Sequence, residues 1–269
     1  MMQLAALNIY PIKSCAGIAL HRSRITQTGL AWDRHWMLVD ANGRFVTQRE
    51  LPQLATVVPQ LLDSELVVSA PGESPLRVPL EFNGEPQSVR VWRDTVSALD
   101  CGDHAAIWFS RVAGRPLRLV AFDPRAKRLS NTEFTADASG YAQFADGYAV
   151  LVVSEESLVD LNTRLPEGGL PMTRFRPNLV LRGARAYQED TLKTLRFGDV
   201  ELRLVKACTR CVITTIDQRT GMVQGDQPLR TLRGYRYDPQ LKGVTFGQNA
   251  IVMAGADQNI SVGMTATFT

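Results

Sequence analysis

Four cysteines and three histidines are all that 269 residues contain. So few sulfurs, with no secretory signal ahead of them, argue against a disulfide framework, and Cys15, Cys101, Cys208 and Cys211 read as thiols. No stretch reaches the roughly 18 uninterrupted apolar residues of a membrane helix, and the start "MMQLAALNIYPIKSC" has no basic region before an apolar run. The sequence therefore predicts a cytoplasmic protein with no membrane partner. An excess of either charge is also missing. Thirty Lys and Arg against twenty-seven Asp and Glu leave +3, far short of a nucleic-acid footprint, so any anion site must be local. There is no internal repeat and no low-complexity segment.

What is present is ordinary for a globular protein: 45% hydrophobic and 21% charged residues, enough chain for one large domain or two of usual size. Short strands dominate. Apolar residues flank Asn42-Gly43 in "HWMLVDANGRFVTQRE", a strong hairpin signal. Residues 66–70, 76–80 and 88–98 read as further strands. In "LRFGDVELRLV", Val200, Leu202 and Leu204 alternate with polar residues after a Gly198-Asp199 turn, a second hairpin. Helices are few. Asp103 can cap "HAAIWFSRVAG" with Gly114 as the stop, and Ser154 can cap "EESLVDLNTRL" with Pro166 ending it. A third, weaker helix falls in "PLRTLRGYR". The polar, aperiodic run between Phe122 and Phe144 is too long for an ordinary connection, so it marks a linker or a functional loop. The reading is mainly β, with units at 1–122 and 123–269.

Half of the cysteines lie in one stretch, "KACTRCVITTIDQRTG". A structural zinc site wants four ligands, and only one pair with scattered partners (His21, His35, His104) is available. A thioredoxin-type dithiol wants a helix after the pair, where β-branched "VITTI" follows instead. A single thiolate offered to a soft metal beside Arg210 is a third reading, and a buried cysteine packing as a small hydrophobe is a fourth.

Other segments look suited to an anion. Lys13 and Ser14 in "YPIKSCAG" follow a strand and precede a glycine turn. Arg34 precedes an aromatic strand in "LAWDRHW", and Arg176 precedes Pro177, which favours an extended backbone. Arginine pairs bidentately with phosphate, and Gly147 in "FADGYAV" would let backbone N–H groups approach one. Each basic residue taken alone is an ordinary surface charge. Spacing does not gather them into one pocket.

Taken together, "YPIKSCAG", "LAWDRHWMLV", "FADGYAVLVVSEESLVDLN", "FRPNLV", "CTRCVITTID" and "FGQN" resemble the MOSC family, in its YcbX-like and amidoxime-reducing-component-like branch, over nearly the whole chain. The resemblance implies an N-terminal β-barrel-like domain and a MOSC β-barrel with a molybdenum cofactor, a phosphorylated pterin dithiolene, between them. It implies Cys211 as the molybdenum ligand. It also implies Lys13, Ser14 and Arg34 as phosphate contacts from one side, Arg176 and Asn178 from the other, and Thr209 and Arg210 along the pterin. Asp146, Gly147 and Tyr148 occupy a segment that faces the phosphate and the metal, though two of its hydroxyl positions are Gly and Tyr here. Asp146 is the candidate proton donor, with a capping role as its plainer alternative.

The implied activity is reduction of N-hydroxylated compounds such as amidoximes and hydroxylaminopurines. No C-x4-C-x2-C cluster motif is present, so a separate ferredoxin or flavin/iron–sulfur reductase is the expected electron donor. Arg34, Arg174, Arg176 and Arg210 would present positive charge to a small acidic donor. The alternative is a cofactor carrier or a sulfur-transfer protein acting through Cys211.

Overall fold

The computed structural model describes residues 1–81, 83–166 and 168–269. The fold is mostly β, 38% strand and 17% helix. One sheet dominates, with the strand order Thr267–Phe268, Thr194–Phe197, Val200–Thr209, Gly243–Ala254, Val150–Ser154, Leu179–Arg182, Gln3–Ile9 and Ile18–Leu20. Its neighbours run antiparallel except Val150–Ser154 and Leu179–Arg182, which are parallel. The helix Glu155–Arg164 between those two supplies the crossover that a parallel pair needs.

A second sheet orders Trp36–Val39, Arg118–Phe122, Asp94–Asp100 and Pro86–Val91. A three-stranded meander, Val58–Leu61, Glu65–Ser69 and Leu76–Pro79, falls in sequence between Trp36–Val39 and Pro86–Val91 but forms a sheet of its own. The helix Asp103–Ala113 buries Trp108 and Phe109 in the same core as Trp36, Leu38 and Leu119. The other large core gathers Leu4, Leu7 and Ile9 with Val152, Leu179, Leu202 and Ala250. The first strand of the chain is thus part of the core built by the C-terminal half. A second exchange follows, because Arg22–Thr26 pairs with Asn259–Ser261.

Local signals were accurate where the chemistry is local. Gly114 ends its helix at φ 68°, a left-handed conformation that costs glycine no Cβ clash. The Ser154 hydroxyl accepts from the Ser157 N–H at 3.1 Å, as a cap should. Asp103 does not cap. It is the first helical residue, after Gly102, and its carboxylate pairs with Arg118 at 2.9 Å. The weak third helix is one turn, Leu229–Arg233. Residues 88–98 are not one strand but a hairpin, Pro86–Val91 and Asp94–Asp100, turning at Trp92-Arg93. Trp92 adopts φ 56° there, a conformation that nothing in its residue type announces.

Candidate functional site

The segment leaving Gln3–Ile9 runs beside the residues that enter Trp36–Val39. The Arg34 N–H donates to the Tyr10 carbonyl at 2.9 Å, and the Lys13 N–H to that of Trp36 at 2.8 Å. The long connection after Phe122 then folds back over this pair of segments. Ala142 N–H donates to Arg128 O at 3.0 Å and Phe144 N–H to Arg34 O at 3.0 Å. Arg128, 5% exposed, holds the connection from beneath. Its guanidinium donates to the carbonyls of Gln143, Ala145 and Asp146 and pairs with Asp94. The aperiodic run is therefore an ordered loop that delivers residues 144–148 to a cleft.

All eleven sequence-predicted site residues line that one cleft: Lys13, Ser14 and Arg34 from one side, Asp146, Gly147 and Tyr148 from the loop, and Arg176, Asn178, Thr209, Arg210 and Cys211 from the other. Ser14 at φ 69°, Arg34 at φ 49° and Arg176 at φ 55° all hold left-handed backbone. Each such residue costs on the order of 1–3 kcal/mol, and strain of this kind gathers where a site demands it. For Arg176 this corrects the extended conformation expected before Pro177. Its N–H closes a turn onto Thr173 O at 3.2 Å, while its guanidinium donates to Cys15 O at 2.7 Å.

Tyr10 is the hub of the cation cluster. Its ring lies between the guanidinium carbons of Arg34 at 4.3 Å and Arg176 at 4.2 Å, and burial pushes its phenol up to about 12. Burial also brings Arg176 down to about 10, leaving it charged at neutral pH. Gly17 makes this packing possible, since a Cβ there would stand 2.6 Å from the Tyr10 ring. Arg34 donates to Asp33 at 2.5 Å, to the Asn178 side-chain oxygen at 3.0 Å and to Arg176 O at 3.1 Å. Asn178, 1% exposed, also accepts from Leu151 N–H at 3.0 Å and donates to Asn8 O at 3.1 Å. Its amide is committed to bracing the two halves against each other.

Lys13 is buried, which lowers its pKa against the opposing pull of Asp146. Its ammonium donates to Phe144 O at 2.8 Å and to Asp146 at 2.5 Å, and the Trp92 indole donates to the same carboxylate oxygen at 3.1 Å. Desolvation works against ionising Asp146, but Lys13 and then Arg49 and Trp92 outweigh it and hold the carboxyl well below the usual range. In this structure Asp146 is the charge partner of Lys13.

The strand Val200–Thr209 ends beside Thr245, and Arg210 N–H still donates to Val244 O at 2.8 Å, so the turn that follows starts from a fixed point. Cys211 opens the short turn Val212–Thr215, with Thr214 N–H donating to its carbonyl at 3.0 Å. The two sulfurs have different neighbours. Arg49 donates to Cys211 Sγ at 3.2 Å, and Arg210 donates to Cys208 Sγ at 2.9 Å and to Phe175 O at 2.7 Å. Among the described residues no three His, Cys, Asp or Glu side chains gather as a metal cluster, so a metal at Cys211 would take most of its ligands from a bound group.

Sequence reasoning missed Arg49, Trp92 and Arg128. Arg49 follows the Asn42-Gly43 turn with no motif around it, and its guanidinium stacks 4.7 Å from the Trp92 ring. Of the four arginines expected to present an acidic-donor surface, Arg34 and Arg174 do not face outward. Arg174 is 2% exposed and donates to Thr214 O and Gln224, and the Arg34 side chain is 13% exposed and turned inward.

A strained, cation-lined cleft with one thiol at its edge, set where strands from both ends of the chain pair, marks a class of mostly β proteins with a candidate anion site. Comparison with known families gives the class its name. Residues 1–116 match the MOSC N-terminal beta barrel domain and residues 140–266 the MOSC domain. The chain belongs to the MOSC family, in the branch of the amidoxime reducing components. It is 38% identical to mitochondrial amidoxime reducing component 2 of Bos taurus over 90% of this chain and 74% of that protein. For the Rattus norvegicus protein of the same name the identity is 37%, over 88% and 73%. It is also 31% identical to molybdenum cofactor sulfurase of Bos taurus over 82% of this chain, but only 27% of that longer protein. These relatives correct the expected cytoplasmic location, since the amidoxime reducing components are named as mitochondrial. No helix of the described residues is long and apolar enough to cross a membrane.

Proposed function

We propose that the chain is a molybdenum cofactor-dependent reductase of N-hydroxylated compounds, amidoximes and hydroxylaminopurines among them, served by a separate electron-donor protein. The observation that carries this reading is the convergence of Lys13, Ser14, Arg34, Arg176, Thr209 and Arg210 around Cys211 in one cleft. In this reading residues 1–122 and 123–269 form the two units that close on the cofactor from opposite sides.

The residues fit such a group. Arg49, Arg176 and Arg210 have no carboxylate within 4 Å among the described residues, so the cleft keeps positive charge for a phosphate. The Tyr148 hydroxyl and Arg210 Nε are buried with no hydrogen-bond partner among the described residues, two donors suited to a bound polar ligand. Burial pushes the Tyr148 phenol up to about 12, with Glu133 adding to the effect, so it stays protonated and able to donate. A Cβ on Gly147 would meet no atom within 4 Å, so the protein itself does not demand glycine there and the space remains open to a ligand.

When bound, the cofactor supplies a metal that exchanges an oxygen atom and two electrons with the substrate. Cys211 would give it a soft sulfur ligand, and Arg49 donates to that sulfur. Lys13, Arg34 and Arg176 anchor the phosphate and so set the position of the reacting end. Converting N–OH to N–H consumes two electrons and two protons and releases water. With Asp146 ionised, the protons come from solvent. A second reading, a carrier or sulfur-transfer protein acting through Cys211, draws on the likeness to the sulfurase.

The test is metal analysis and pterin fluorescence of the purified protein, followed by turnover of a hydroxylaminopurine. Stoichiometric molybdenum, no turnover with NADH alone and turnover with reduced viologen are the expected results. Molybdenum without viologen-driven turnover across several N-hydroxylated substrates would transfer the assignment to the carrier reading.

A further inference from the structure

A second concavity of about 430 Å³ adjoins the cleft, within the size range of small-ligand sites. Its floor is apolar: Pro52, Val212, Ile216 and Leu229. Val212 directly follows Cys211, so the floor begins where the thiol ends. Arg49 lines both cavities and forms their common wall, with one guanidinium nitrogen 3.2 Å from the Cys211 sulfur. Val212 is 52% exposed and Val223, at the far side, 59%. Single exposed valines are unremarkable. Two in one concave site beside the Cys211 thiol are a candidate binding surface.

The rim is basic. Arg233 has no carboxylate within 4 Å among the described residues, and Arg230 has only the exposed Asp226 at 3.6 Å, a pairing that solvent screens. Arg49 adds a third guanidinium. Such a rim favours neutral or anionic ligands and repels cations. That sign suits the chemistry of the proposed reaction, on which this inference rests. An amidoxime is neutral near pH 7, whereas the amidine formed from it takes up a proton and becomes a cation. The rim would hold the substrate and weaken the hold on the product.

We propose that this groove seats the body of the substrate: a flat, apolar N-hydroxylated molecule whose anionic substituent meets Arg230 and Arg233 while its N–OH end reaches the cleft at Cys211.

The test compares benzamidoxime with its para-carboxylate and para-trimethylammonium derivatives on the holoenzyme. Calorimetric binding is measured beside viologen-driven turnover. The carboxylate should bind ~10-fold more tightly than the trimethylammonium compound, the scale of two partly exposed charge pairs. The double variant Arg230→Ala/Arg233→Ala should raise KM for the carboxylate ~10-fold at unchanged kcat, remove the preference, and move benzamidoxime less than ~2-fold. Both side chains are exposed, so the fold survives the change. Val223→Asp, also at an exposed position, should weaken benzamidoxime and, most of all, the carboxylate. A preference that persists in the double variant, or no preference in the parent, overturns the groove. Binding that follows the charge series in a protein that turns nothing over keeps the groove and sinks the reductase reading instead.

Discussion

Cys208 and Cys211 are three positions apart, yet their surroundings separate them. Cys208 packs against the core of Phe175 and Phe246 and accepts from Arg210, while Cys211 stands at the start of a turn with Arg49 on its sulfur. A hydroxyl cannot replace a soft sulfur ligand. Cys211→Ser should therefore lose both molybdenum retention and turnover, whereas Cys208→Ser should keep most of each, as read by metal content and viologen assay. Equal loss in the two variants would favour a shared-metal or dithiol site. The other two thiols are chemically quiet. Burial pushes Cys15 up to about 12 and drives Cys101 higher still, so neither offers a thiolate at neutral pH.

At the scale of an element, the loop between Phe122 and Phe144 shows how a stretch without periodicity becomes rigid. Arg128 donates to three carbonyls of the segment 143–146, replacing the ladder that a strand would have provided. Arg128→Ala leaves those acceptors without their donor, a loss of ~2 kcal/mol for buried carbonyls left unsatisfied. Hydrogen exchange should then accelerate at the amides of residues 143–148 while the strand Gly243–Ala254 keeps its protection. Unchanged exchange in the loop would show that it is held by something other than the guanidinium. The expected knock-on is at Lys13, whose ammonium depends on Phe144 O and Asp146.

The whole molecule is tied together by its N-terminus. Gln3–Ile9 pairs with Leu179–Arg182, and Leu4, Leu7 and Ile9 fill the C-terminal core. A fragment of residues 123–269 lacks that strand and leaves a buried edge without partners. It should show no cooperative thermal transition by circular dichroism, whereas the full chain should melt as one unit. Stability should also respond to acid through His35, which packs edge-on against Trp32 and Trp36 and bonds Gln143 at 3.0 Å. Burial lowers its pKa from 6.5 to about 4, against the pull of Gln143. Between those values the unfolded chain binds a proton that the folded one refuses, so stability present above pH 6.5 is lost as pH falls toward 4. The melting temperature should decline across that window, and His35→Phe should flatten the decline.

The sequence by itself determined the mostly β class, the Ser154 cap, the Gly114 stop, the hairpin around Gly198-Asp199 and, through its motifs, the residues that line the cleft. These depend on a residue and its near neighbours: a hydroxyl that reaches an N–H three residues on, a glycine free at positive φ, apolar groups alternating across a strand. Only the tertiary structure decided that Arg49 touches Cys211, 162 residues away, that Asp146 pairs with Lys13, and that Arg34 and Arg174 turn inward. Each of these depends on which distant groups the fold brings together. That proximity sets charge state and hydrogen-bond partner, and it is fixed when the strands of the two halves exchange, not by any residue's own chemistry.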